Sequence, residues 1–326
     1  MDPGVLTGRD SATRASPILI TGSHYSGTTW VGKMVSAAPH VGYLNEPFNP
    51  RVAPRIPGAA MSFWFPYLSS HNVTRDTRAA IADLLRHKYP LRSELRRGQG
   101  AKDTLRSARD FGQWSIRRWR HDRPLLKDPI ALLSTEWLVE EFSVIPVVLV
   151  RHPGAFASSV RARGASHPFS DFLAQTQLMD QHLSQYAEQI QDFARHKRDL
   201  MEQAALIWNI LNSYVITMQA RHPEWLILRH EDLCRDPMGE FARIFRYLHL
   251  ELTDHASKTI QDHSSAGNAV TGKDSSEFRR DSNAVRWSWL ARLTPQETAS
   301  LRRAVENVAD HFYGPADWEP PCPEVE

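Results

Sequence analysis

One ten-residue stretch, Thr21-Gly22-Ser23-His24-Tyr25-Ser26-Gly27-Thr28-Thr29-Trp30, constrains this chain more than any other. It follows Pro17-Ile18-Leu19-Ile20-Thr21, an apolar run that stops at a glycine as a buried strand does. It precedes a stretch over 28–38 that reads as a helix ending near Pro39. Glycines at 22 and 27 let the backbone turn sharply and aim amide hydrogens inward, and the first helical turn adds its partial positive charge. Strand, glycine-bounded loop and helix, in that order, make a cradle for a phosphate. The stretch nearly matches the G-x-x-x-x-G-K-[ST] loop, but Thr28 stands where lysine would reach the β- and γ-phosphates of a nucleoside triphosphate. The expected ligand therefore carries a 5′-phosphate and no triphosphate. A purely structural turn at a strand end is the alternative.

The rest of the chain alternates strands and helices. Strands are expected at 41–44, 124–127, 144–150 and 225–228, and helices at 77–87, 103–120, 131–142, 154–163, 197–221, 238–248 and 295–312. Thr294 and Pro295 supply the cap and first position of the last helix. This alternation predicts an α/β fold, a mostly parallel central sheet flanked by helices. One domain is expected over 17–315, with a flexible segment at 1–16 and a tail at 316–326, because no linker or repeat marks a boundary.

Charge and composition exclude several functions. With 39 basic and 37 acidic residues among 326, the chain is not a nucleic-acid binder that works by bulk charge. Two cysteines make neither a disulfide framework nor a cysteine-rich metal site, and no apolar run is long enough to span a membrane. The N-terminus lacks the basic-then-apolar order of a secretion signal, so a cytoplasmic location is expected. The charge is nonetheless uneven: residues 51–125 hold 14 Arg and 2 Lys against 6 Asp or Glu. That segment reads either as solvated helix faces or as a basic rim for an anionic substrate. Its aromatic cluster, Met61-Ser62-Phe63-Trp64-Phe65-Pro66-Tyr67, reads either as core or as a platform that stacks on an acceptor ring.

A second anion motif follows the strand at 144–150: Arg151-His152-Pro153-Gly154-Ala155-Phe156-Ala157-Ser158-Ser159. An arginine at a strand end and a serine two turns into the next helix can converge on one phosphate. Alone they would be a surface pair; beside the first loop they describe a nucleotide with two separate phosphates.

Together these motifs resemble the sulfotransferases that use 3′-phosphoadenosine-5′-phosphosulfate, PAPS, and release adenosine 3′,5′-bisphosphate, PAP. The resemblance spans roughly 17–315. It implies that Ser26, Gly27, Thr28, Thr29 and Trp30 form the 5′-phosphosulfate loop, with Trp30 stacked on adenine rather than serving ordinary packing. It implies that Arg151 and Ser159 hold the 3′-phosphate, and that Arg163 is a further cofactor arginine. Leu228-Arg229-His230-Glu231-Asp232-Leu233-Cys234-Arg235-Asp236-Pro237 is similar to the family's Y-E-D-L-x-x-D-P segment, with His230 in place of the tyrosine near adenine. Arg279-Arg280-Asp281-Ser282, followed by Trp287 and Trp289, is similar to the segment that closes over the cofactor, which makes Arg280 a cofactor residue.

Sulfonate transfer needs a base for the acceptor's proton and positive groups around the sulfonate. Where cytosolic members place a histidine after a Lys-Thr pair, this chain has Lys127-Asp128-Pro129. Lys127 remains as a sulfonate contact. The resemblance points to Glu46, 21 residues after Tyr25, as the general base, with Asp128 the alternative base or an orienting group for Lys127. Tyr25 departs from the family, which places lysine or arginine there; His24 beside it would contribute if protonated. The expected activity is sulfonate transfer from PAPS to a hydroxyl or amine of a small-molecule, carbohydrate or lipid-linked acceptor, without a metal or nucleic-acid partner. A P-loop phosphotransferase and a nucleotide-binding relative impaired by Tyr25 are the alternatives.

Overall fold

Strands buried on both faces of a parallel sheet read as unbroken apolar runs. The computed structural model, which describes residues 16–52, 54–98, 100–265 and 281–319, places strands on those runs. They are β1 (Ile18–Gly22), β2 (Val41–Asn45), β3 (Arg123–Lys127), β4 (Ile145–Val150) and β5 (Leu226–Arg229). They make one five-stranded sheet in the order β2-β3-β1-β4-β5, and β3 runs parallel to both β1 and β2. Pro146 is tolerated because it sits at the start of β4, where Ile145 donates its N–H to the Pro17 carbonyl.

The helices before β4 are α1 (Thr28–Val35), α2 (Arg75–Leu84), α3 (Leu91–Arg97), α4 (Ala101–Trp119) and α5 (Thr135–Phe142). Those after it are α6 (Pro153–Ala162), α7 (Ala187–Arg195), α8 (Leu200–Arg221), α9 (His230–Arg235), α10 (Pro237–Tyr247), α11 (Asp254–Ser264), α12 (Ser282–Trp287) and α13 (Pro295–Ala309). The helix expected over 131–142 is two pieces: Asp128 caps a 3-10 turn over Pro129–Ser134, and α5 follows. The last helix starts at Pro295 with a Thr294–Glu297 capping box, as its sequence requires, and ends at Ala309 rather than Phe312. Helix α9 falls where the resemblance implies a helix after β5; α3, α7, α11 and α12 were not anticipated, and α3 and α12 are too short to show a period.

Two compact units emerge, neither contiguous in sequence. The first takes the chain up to Thr21 with Thr28–Val147 and Ala242–Ala256. Its core gathers Ile18, Leu19, Ile20, Val31, Val35, Leu125, Leu126 and Leu138, all buried. Met61, Phe65 and Tyr67 of the aromatic cluster are buried as well, so these three are core, while Phe63 and Trp64 are half-buried. The second unit takes Gly22–Gly27, Val148–Phe241 and the chain from Ser257 on. There α8 packs against α6 and α13, and its Trp208, Leu211 and Val215 are buried. Packing in this unit extends past 315, since Trp318 is buried with its ring 4.5 Å from that of His152.

Candidate active site

In the first unit, strand register brings two distant residues together. Asn45 of β2 lies level with Lys127 of β3, and Ile20 of β1 lies level with the same lysine. The next residue, Glu46, donates its N–H to the Lys127 carbonyl at 2.8 Å, and Thr21 Oγ1 donates to the Asp128 carbonyl at 2.8 Å. The ends of three strands are thus tied at one level. Lys127 is 1% exposed. Its stem passes α1 at Gly32, where an added Cβ would lie 2.9 Å from Lys127 Cγ. Its ammonium donates to Glu46 Oε1 at 2.5 Å.

Glu46 is held from three sides. Besides the ammonium, Asn49 Nδ2 donates to Oε2 at 2.9 Å, and the residue sits at φ 48°, a left-handed conformation that is costly directly before a proline. Its side chain is 24% exposed, so a substrate proton can reach it. Asp128 is fully buried: Oδ2 accepts the Phe48 N–H at 2.6 Å and Oδ1 the Ile130 N–H at 2.9 Å. Burial pushes its carboxyl up to about 7, against the pull of those donors and of Lys127. The geometry makes Asp128 an anchor for the loop that carries Glu46. Lys33 lies nearby, its Nζ 4.3 Å from the Tyr43 ring centre, and burial followed by Lys127 holds its amine below the usual range.

The glycine loop belongs to the second unit and runs directly into α1. Gly22 has φ 147° and Gly27 φ 92°; an added Cβ would lie 2.2 Å from the Leu149 carbonyl oxygen and 2.4 Å from His230 Cδ2, respectively. Both glycines are required. Tyr25 also takes positive φ, 64°, which turns its carbonyl to receive Arg151 Nη1 at 2.5 Å. Three donors here are buried without a protein partner: Ser23 Oγ, Ser26 Oγ and Arg151 Nε. Orphaned buried donors of this kind call for an acceptor that the protein does not itself provide. The first turn of α1, Thr28, Thr29 and Trp30, adds backbone N–H groups and contains no acidic residue.

Other expected residues gather around this loop. Arg163, just past α6, lays its guanidinium 4.8 Å over the Tyr25 ring, so a cation stands beside the position that lacks one. His230 packs on Gly27, and burial followed by Arg151 keeps its imidazole neutral. Ser159 donates to the Ala155 carbonyl at 2.9 Å, so to donate to a phosphate its hydroxyl must turn away from that carbonyl. His24 does not meet the condition of protonation. Its ring meets Tyr25 at 4.7 Å and Phe156 at 4.9 Å edge-on, and burial lowers its pKa to about 4, so it offers no positive charge at neutral pH. Arg280 lies outside the described residues.

Three contributors escaped sequence reasoning. Ser23 lies inside the motif but was not singled out as a donor. Glu231 accepts the His152 N–H at 3.0 Å and the Tyr313 hydroxyl at 2.9 Å, tying the start of α6 to α9 behind Arg151. Trp208 Nε1 donates to the Arg151 carbonyl at 2.9 Å. Among the described residues no cluster of His, Cys, Asp and Glu could hold a metal ion.

Comparison with known proteins adds a family. A model described as the sulfotransferase family matches residues 17–254. Carbohydrate sulfotransferase 1 of Rattus norvegicus and that of Homo sapiens are each 31% identical over 91 residues. The match spans 26% of this chain and only 22% of each relative's length. Among solved structures, a sulfotransferase domain from the curacin biosynthetic pathway aligns at TM-score 0.49 and 13% identity, over 91% of this chain and 97% of that one. A mouse sulfotransferase complexed with PAP aligns at TM-score 0.41 and 12% identity, over 91% and 85% of the respective chains.

Proposed function

Because this chain belongs to the sulfotransferase family, we propose that it moves a sulfonate group from PAPS to a hydroxyl or amine, with Glu46 as general base. The observation that carries the reading is the Lys127–Glu46 pair, 2.5 Å apart at the tied ends of β3 and β2. A buried ammonium beside a partly exposed carboxylate offers a positive group and a proton acceptor side by side.

The residues present suit PAPS. The unpartnered hydroxyls of Ser23 and Ser26, with the N–H groups that open α1, would hold the 5′-phosphate; the free Nε of Arg151, with Ser159, would hold the 3′-phosphate. His230, packed on Gly27, would lie against the adenine. When bound, PAPS supplies a sulfonate activated by a phosphate leaving group. Glu46 takes the acceptor's proton on a carboxylate oxygen. Asn49 and Lys127 fix that carboxylate, and Asp128 holds the loop that carries it. Arg163 over Tyr25 provides the positive charge that the loop itself lacks. The carbohydrate sulfotransferases similar to this chain make glycan hydroxyls the first acceptors to try.

Titration of PAP and of ATP, each with and without magnesium, tests the reading. PAP should bind equally with and without the metal. Arg151→Ala should weaken PAP by ten- to a hundredfold, about 1.5–3 kcal/mol for a charged hydrogen bond, and AMP far less. Equal losses for the two nucleotides, or magnesium-dependent binding of ATP in preference to PAP, would favour a phosphotransferase instead.

A further inference from the structure

Helix α4 is built inside out. Its inward face is Asp103, Ser107, Asp110, Trp114 and Arg117, spaced four and three apart, all buried or half-buried. Trp114 is the large apolar anchor of that face, its ring 5.4 Å from Tyr89 and 6.3 Å from His87. The opposite face carries Leu105, Ile116 and Trp119, which are 73%, 58% and 81% exposed. Ala108 and Gly112 lie between them on the same side, so the stripe is continuous along the helix. A helix stabilised only by its own domain has the reverse arrangement, because exposed large apolar residues gain nothing from water.

The charge around the stripe identifies what it meets. Outside the inward face, α4 carries Lys102, Arg106, Arg109 and Arg118 and no acidic residue, and Arg120 follows directly. Arg106 and Arg109 pair with Asp103 and Asp110, yet their side chains remain 49% and 65% exposed. A second copy of this chain seated on the stripe would set one net-positive helix against another, the like-charge arrangement that interfaces avoid. An anionic bilayer complements both features. Apolar side chains enter the headgroup boundary without needing a shaped groove, tryptophan favours that depth, and arginine beside the stripe reaches lipid phosphates.

We propose that α4 lies in the plane of an anionic lipid surface, inserting Leu105, Ile116 and Trp119 and flanked by its arginines. No described helix is long and apolar enough to cross a membrane, so this is attachment to one leaflet. The inference stands apart from the sulfonate-transfer reading, because α4 supplies none of the proposed catalytic or nucleotide-binding residues.

Flotation of the full chain with vesicles tests it. Vesicles of phosphatidylcholine containing about 30% phosphatidylserine should carry the protein up the gradient at low salt, and phosphatidylcholine alone should not. High salt should weaken the binding. The triple variant Leu105→Ser, Ile116→Ser, Trp119→Ser should lose about tenfold or more in vesicle affinity while melting as the wild type does; Trp119→Ser alone should lose part of it should the triple variant fail to fold. Absence of flotation, or flotation that these substitutions leave unchanged, overturns the proposal. A wild-type dimer that the triple variant converts to monomer, with no lipid affinity in either, assigns the stripe to a second copy and overturns it too.

Discussion

Glu46→Gln separates what the Lys127–Glu46 pair does for stability from what it does for chemistry. Lys127 is 1% exposed and its ammonium donates to Glu46 at 2.5 Å, so removing the carboxylate charge leaves a buried cation without its counter-charge. Breaking a buried ion pair from one side costs about 3–5 kcal/mol. Glutamine keeps an oxygen that accepts from the ammonium, and 24% exposure at position 46 lets solvent reach it, so about 2 kcal/mol is the expected loss here. At about 2.1 cal/mol/K of unfolding entropy per residue, a chain of this size then melts about 3 °C lower. The reverse change, Lys127→Met, leaves the carboxylate at the better-solvated end and should cost less, about 1 kcal/mol. Turnover responds differently: with the proton acceptor gone, Glu46→Gln should lose about 10²–10⁴. Lys127→Met should abolish transfer, and both variants should bind PAP nearly as the wild type does, since that product carries no sulfonate. Calorimetric melting, PAP titration and steady-state transfer from PAPS measure the three quantities on the same preparations. Wild-type turnover by Glu46→Gln would refute the assignment of the base. A lower Tm for Lys127→Met than for Glu46→Gln would refute the electrostatic argument.

The cation over Tyr25 and the buried carboxyl of Asp128 each carry a prediction. Arg163→Ala should lower kcat by about 10²-fold, the loss of one preorganised charge at the reacting centre. Adding Tyr25→Arg to that variant should restore much of the loss; a double variant no better than the single one would remove Arg163 from the chemistry. For Asp128, burial raises the folded pKa to about 7 from 3.8, so the native state holds the proton more tightly than the unfolded chain. The stability from that proton is complete below about pH 4 and is lost as pH rises toward 7, at up to about 1.4 kcal/mol per pH unit. Asp128→Asn should remove this slope from the wild-type pH profile of unfolding, and parallel profiles would contradict it.

Much of this architecture was legible because its signals are local. Ile18–Ile20 and Val147–Val150 are continuous apolar runs, the mark of strands covered on both faces, and Gly22 and Gly27 bound the loop between β1 and α1. Glu46 and Lys127 were each visible as residues. Their ion pair was not, because its partners lie 81 positions apart in sequence and meet only through the parallel register that sets Asn45 level with Lys127. Whether His24 carries a proton is likewise beyond the sequence: its neighbour Phe156 comes from another element, and its enclosure is what drives the pKa down. The orphaned hydroxyl of Ser23 and the anchoring of Arg151 by Trp208 and Glu231 are likewise products of packing. Sequence described α4 as helical and arginine-rich. Which side faces inward was decided by where Tyr89 meets Trp114.

Transfer itself is the most direct test of the account. The purified protein would be incubated with PAPS labelled on sulfur, a panel of glycan, glycolipid and small hydroxyl or amine acceptors, and a metal chelator. A labelled acceptor and an equal amount of PAP are expected, both lost in Glu46→Gln. Tight binding of PAPS with no labelled product from any acceptor, and transfer appearing only when arginine replaces Tyr25, would contradict it and leave a nucleotide-binding protein without the activity.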